Sequence, residues 1–127
     1  MLAGIFTMIV VTAAVVVATE SPALAAYENC TGSNKVCTYW DVNGGGSMYY
    51  YTGPQNACIN IGGTWNDQIS SVKNKFGVKV TFYEHAGCGG LKEWVGKYCN
   101  CPSDHLNTIT WPLNDELSSL WIGNSPP

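Results

Sequence analysis

Arginine does not occur in this 127-residue chain, and its six basic residues are all lysines scattered along it. With nine acidic residues the formal net charge is −3, so the sequence has no basic stripe with which to hold a polyanion, and nucleic-acid binding is set aside. Charged residues of both signs reach only 12% against 46% hydrophobic ones, too apolar a balance for a disordered chain. The two histidines, His85 and His105, stand in no His-Glu-x-x-His, and no Gly-x-Ser-x-Gly occurs, so an enzyme is not expected. Beyond the amino-terminal segment nothing sustains helical periodicity, which argues against a helical fold.

The one long apolar run is MLAGIFTMIVVTAAVVVAT, followed by Glu20-Ser21-Pro22 and then Ala23-Leu24-Ala25. Small residues at that boundary suit signal peptidase, so residues 1–25 are expected to be a signal peptide and 26–127 a single secreted domain. No lysine precedes the run, and an uncleaved anchor helix is the alternative. After processing we expect a monomer without stable membrane insertion.

All six cysteines follow the leader: Cys30, Cys37, Cys58, Cys88, Cys99 and Cys101. An even number in an exported chain reads as disulfides, with the connectivity left open. Cys30 and Cys37 bracket a turn-rich stretch and are the first expected pair. Cys99 and Cys101 are expected to bond elsewhere, because so small a ring would be strained.

Two segments follow one template. The first runs from Tyr39-Trp40-Asp41 through Gly44-Gly45-Gly46 to Tyr49, and the second from Tyr83-Glu84-His85 through Cys88-Gly89-Gly90 to Trp94. The strand before Tyr83 alternates Val78, Val80, Phe82 with Lys79, Thr81, Tyr83, and the strand around Tyr39 alternates likewise, so both are expected to be half-buried. The glycine pairs supply positive φ for a turn between strands. Farther on come Asn66-Asp67-Gln68-Ile69-Ser70-Ser71 and Asn114-Asp115-Glu116-Leu117-Ser118-Ser119. The implied architecture is all-β: two four-stranded motifs, approximately 34–76 and 77–123, packed as a sandwich.

Each Asn-Asp-x-x-Ser-Ser stretch offers a carboxylate, backbone carbonyls and hydroxyls, hard oxygen donors that suit calcium. One stretch cannot complete a calcium shell, whereas two could share ligands. The alternative for a single copy is a helical turn capped by its serines.

These paired hairpins and signatures resemble the βγ-crystallin superfamily, in particular its microbial calcium-binding members. Tyr83-Glu84-His85-Ala86-Gly87-Cys88-Gly89-Gly90 is similar to the family's Tyr-Glu-His-x-x-Phe-Gly-Gly hairpin, and both later stretches match its calcium signature. The resemblance implies a sandwich of two Greek key motifs with two adjacent calcium sites. Their ligands would be the side chains of Asp67, Asp115, Ser70 and Ser118 and the carbonyls of Gln68, Glu116, Trp40 and Glu84. Asn66 and Asn114 would fix the loops. Two departures stand out: Gly44 and Cys88 replace the aromatic residue that should precede each glycine pair, and a disulfide at Cys88 could compensate.

The opening Cys30-Thr-Gly-Ser-Asn-Lys-Val-Cys37-Thr38-Tyr39 resembles the start of the Streptomyces metalloproteinase inhibitor family, secreted proteins with the same fold. It implies an extracellular metalloprotease as an alternative partner to calcium alone. A zinc cluster of Cys99, Cys101 and His105 is a weaker alternative on ligand types, as is a carbohydrate-binding face built on Tyr49-Tyr50-Tyr51.

Overall fold

The computed structural model describes residues 27–127; the expected signal peptide lies outside them. Eight strands follow in order: β1 Val36–Tyr39, β2 Met48–Tyr51, β3 Cys58–Asn60, β4 Ser71–Asn74, β5 Val80–His85, β6 Gly89–Val95, β7 His105–Leu106 and β8 Ser119–Ile122. They form two four-stranded sheets in the orders β2-β1-β4-β7 and β3-β8-β5-β6. Every pairing is antiparallel. The third strand of each half is exchanged: β3 pairs with β8 of the second half, and β7 with β4 of the first. This exchange interlocks the halves, so neither completes a sheet alone.

The core lies between the sheets, where Val36, Val72, Val80, Phe82, Leu117 and Leu120 are all fully buried. Each such side chain contributes roughly 1.5–3 kcal/mol relative to exposure. The alternation around Val80 and Phe82 therefore points its apolar face inward as expected.

The opposite faces depart from expectation. Thr81 and Tyr83 are also buried, as are Cys37 and Tyr39 on β1. These strands are enclosed on both sides because distant segments cover them. Tyr27 and Cys30 pack over Cys37 and Tyr39, and the Tyr83 hydroxyl reaches the carbonyl of Pro127 at the carboxyl end.

The disulfides are Cys30–Cys37, Cys58–Cys88 and Cys99–Cys101. The first pair is the expected one, and the second links β3 to the β5–β6 hairpin. The expectation for Cys99 and Cys101 is overturned: they bond to each other. Asn100 between them adopts φ 53, which folds the chain back on itself, and the other four sulfurs are already paired across separate parts of the fold. The zinc alternative goes with it, since neither thiol is free to ligate.

Candidate functional site

The two hairpins are built by the same contacts, which makes the repeat a physical equivalence. After β1, Ser71 Oγ donates to the Asp41 carbonyl at 2.6 Å and accepts from the Gly44 amide at 2.9 Å. After β5, Ser119 Oγ donates to the His85 carbonyl and accepts from the Cys88 amide at 2.9 Å. The last serine of each signature thus clamps the hairpin of its own half. The alternative reading of these stretches, in which the serines bond nearby backbone, holds for Ser71 and Ser119, although the backbone they bond is that of the hairpin and no helical turn is involved.

Only the second glycine of each pair has a positive φ, +70° at Gly46 and +79° at Gly90. A Cβ would meet the Asp41 carboxylate at 2.7 Å in one case and the His85 ring at 2.7 Å in the other. Asp41 therefore occupies the place in the first hairpin that His85 occupies in the second.

The signature loops lead from these clamps into β4 and β8. Asp67 and Asp115 both have φ 58, a conformation that aspartate tolerates better than most residues. Their contacts cross between the halves. Ser70 Oγ donates to Asp115 Oδ1 at 2.9 Å, and Ser118 Oγ donates to Asp67 Oδ1 at 3.3 Å. The other oxygen of each carboxylate accepts from the preceding amide side chain, Asn66 Nδ2 at 2.8 Å and Asn114 Nδ2 at 3.0 Å. Each asparagine thereby holds the carboxylate that follows it.

The hairpin residues join the same two groups. The Ser70 amide donates to the Tyr39 carbonyl and the Ser118 amide to the Tyr83 carbonyl, both at 2.9 Å, so Trp40 and Glu84 follow immediately beside the serines. One group brings Trp40, Ser70 and Asp115 together, with Glu116 next in the chain; the other brings Glu84, Ser118 and Asp67 together, with Gln68 next in the chain. The Glu84 side chain turns back to accept from the Leu91 amide at 3.2 Å.

These donors suit calcium by kind, being hard oxygens, and each crossed pair already brings a serine hydroxyl and an aspartate oxygen within hydrogen-bonding distance. Among the described residues no three His, Cys, Asp or Glu side chains gather as a metal cluster. Each group has a single carboxylate, and hydroxyl and carbonyl oxygens would have to supply the rest.

A cavity of about 610 Å³ opens elsewhere, between the Cys30 loop and the 98–105 segment. None of the candidate calcium ligands lines it, whereas Cys101 and His105 do. Below it Asp104 is fully buried and accepts from Lys73 Nζ, from His105 Nδ1 at 3.0 Å and from the Asn100 amide at 2.8 Å. Burial pushes its carboxyl up, but hydrogen bonds from Lys73, His105 and the Cys99 amide outweigh burial and leave its pKa below the ordinary aspartate value.

The sandwich with its exchanged third strands has the βγ-crystallin fold, as the comparisons show. The fold is similar to a βγ-crystallin domain from Flavobacterium johnsoniae, with TM-score 0.54 and 21% identity over 71% of this chain and 94% of that one. It is equally similar to one from Clostridium beijerinckii, with TM-score 0.54 and 22% identity over 71% and 98%. The N-terminal domain of protein S gives 0.55 and 22% over 73% and 99%. No curated protein matches the chain. The sequence model of peptidase inhibitor family I36 matches residues 23–95, and the chain belongs to that family. The inhibitor resemblance, seen in the sequence only around Cys30–Tyr39, therefore extends through both hairpins.

Proposed function

We propose that this protein is a secreted inhibitor of extracellular metallopeptidases, built on a βγ-crystallin sandwich. Family membership over residues 23–95 carries this reading. Both the inhibitor family and the fold are non-enzymatic kinds. The mature chain would begin at Ala26 or Tyr27 and act as a monomer, with Greek key motifs spanning approximately 34–76 and 77–123. Its three disulfides suit an oxidising compartment. The test is inhibition of a thermolysin-like metallopeptidase by the mature protein, with subtilisin and trypsin alongside. Metallopeptidase inhibition at a stoichiometry near one to one is expected, and no inhibition of any of the three would refute the reading.

A second reading belongs beside the first, because the crossed serine–aspartate pairs favour it: the domain binds calcium. Asp67, Ser118 and the carbonyls of Gln68 and Glu84 would hold one ion; Asp115, Ser70 and the carbonyls of Glu116 and Trp40 would hold the other. Calcium, when bound, supplies divalent charge that ties the signature loop of one half to the hairpin of the other. The serines would turn their hydroxyl protons away from the aspartates and present lone pairs. Calorimetric titration of calcium into the mature protein tests this.

A further inference from the structure

Trp111 is 86% exposed, the most exposed large hydrophobic side chain among the described residues. The other exposed aromatics are engaged within the chain. Trp40 and Tyr49 pack on Trp65 with ring centroids 5.9 and 5.7 Å apart. Lys79 lies over Trp94 at 5.9 Å and Lys75 over Tyr98 at 4.2 Å. Among the described residues Trp111 has no such partner.

The backbone that carries Trp111 is tied to the fold at several points. Ile109 and Leu113 on either side are buried, at 1% and 5% exposure. The Leu113 amide donates to the Thr110 carbonyl at 2.8 Å and closes the turn. Glu93 on β6 accepts from both the Thr110 amide, at 3.1 Å, and the Thr110 hydroxyl, at 3.0 Å. Both ends of the segment are tied to the first signature loop. The Ile109 amide donates to the Ser70 carbonyl at 2.8 Å and the Asp115 amide to the Ile69 carbonyl at 3.4 Å. Pro112 and Leu91 extend the apolar surface beside the ring, around a shallow groove of about 350 Å³.

An indole that no internal contact uses, presented on a turn fixed at its base and flanks, has the character of a binding anchor. Large rigid aromatics dominate interface energies because they bury much area at little entropic cost. We propose that the turn formed by Thr110, Trp111 and Pro112 seats the target peptidase, with Trp111 filling an apolar pocket of that enzyme and Glu93 holding the turn in its binding shape. This rests on the inhibitor reading, since the partner's class comes from it. The turn lies beyond the family-matched residues 23–95, so it would be this chain's own contribution to choosing its target.

The test compares the mature wild type with Trp111→Ala, Trp111→Phe and Glu93→Gln against a thermolysin-like metallopeptidase, subtilisin and trypsin, with melting curves for every variant. The proposal expects Trp111→Ala to weaken inhibition about thirtyfold or more, the loss typical of a hot-spot residue. Its melting curve should be unchanged, Trp111→Phe should recover part of the affinity, and Glu93→Gln should mainly slow association. If the wild type inhibits and Trp111→Ala inhibits within twofold of it, the anchor is refuted while the inhibitor reading stands. If the wild type inhibits none of the three, both fall together.

Discussion

The ring of Tyr27 fills the space directly over Gly44: a Cβ on that glycine would lie 2.7 Å from Tyr27 Cδ1. Tyr27 also meets Tyr39 edge to face, with centroids 5.4 Å apart, and its hydroxyl donates to Asn107 Oδ1 at 3.0 Å. The aromatic residue missing before the first glycine pair is thus supplied from the amino-terminal segment, which the Cys30–Cys37 bond holds in place. Gly44→Ala combines a positive φ with this clash and is expected to cost about 2–4 kcal/mol. Tyr27→Ala should cost about 3 kcal/mol by leaving a cavity over Tyr39. Chemical denaturation of both variants checks this, and wild-type stability in Gly44→Ala would count against the packing described.

That substitution also marks where the sequence stops being legible. Hairpins and signatures could be read because each is a local demand on the backbone: a glycine where φ is positive, a serine where an amide and a carbonyl need one hydroxyl. The partner of Gly44 lies in a different segment, and nothing near Gly44 announces it. The burial of Tyr83 and Cys37 was missed for the same reason, since their covers come from opposite ends of the domain. Cys99 and Cys101 were misjudged from ring size alone, whereas their pairing depends on which sulfurs the sheets bring together elsewhere. Of the candidate site, the resemblance implied that the two signatures share ligands, but which serine meets which aspartate, Ser70 with Asp115 and Ser118 with Asp67, depends on how the two halves pack and is seen only in the fold.

If the crossed pairs bind calcium, Asp67→Ala and Asp115→Ala should each weaken binding by tenfold or more, and each should disturb both ions because the loops share a frame. Lys97→Ala, at an exposed position, is the control and should bind as wild type does. Unchanged isotherms for both aspartate variants would refute the ligand set.

Calcium should also raise the melting temperature, since an ion that binds only the folded state adds about 2.7 kcal/mol at a hundredfold excess over Kd. The apo domain should already be folded, held by its disulfides. Magnesium, smaller and stricter about octahedral geometry, should do less. Identical melting curves in EDTA and in millimolar calcium would exclude calcium as a structural ligand.

Asp104 predicts how stability depends on acid. Its folded pKa lies below the ordinary aspartate value because Lys73, His105 and backbone amides outweigh its burial. A lowered folded pKa means that its contribution is present above the unfolded value, about 3.9, and is lost as pH falls through the lowered one. The wild type should therefore hold its stability down to about pH 4 and lose it below. Asp104→Asn should flatten that acid limb. It should also cost about 3–5 kcal/mol at neutral pH, because Lys73, only 12% exposed, would keep its charge without the partner that offsets it. Changing Lys73 to methionine together with Asp104→Asn should recover much of that loss, since the stranded charge is removed as well. Denaturation at a series of pH values between 2 and 7 on the wild type and both variants reads out all three effects, and an acid limb in Asp104→Asn as steep as the wild type's would show that other carboxyls govern it.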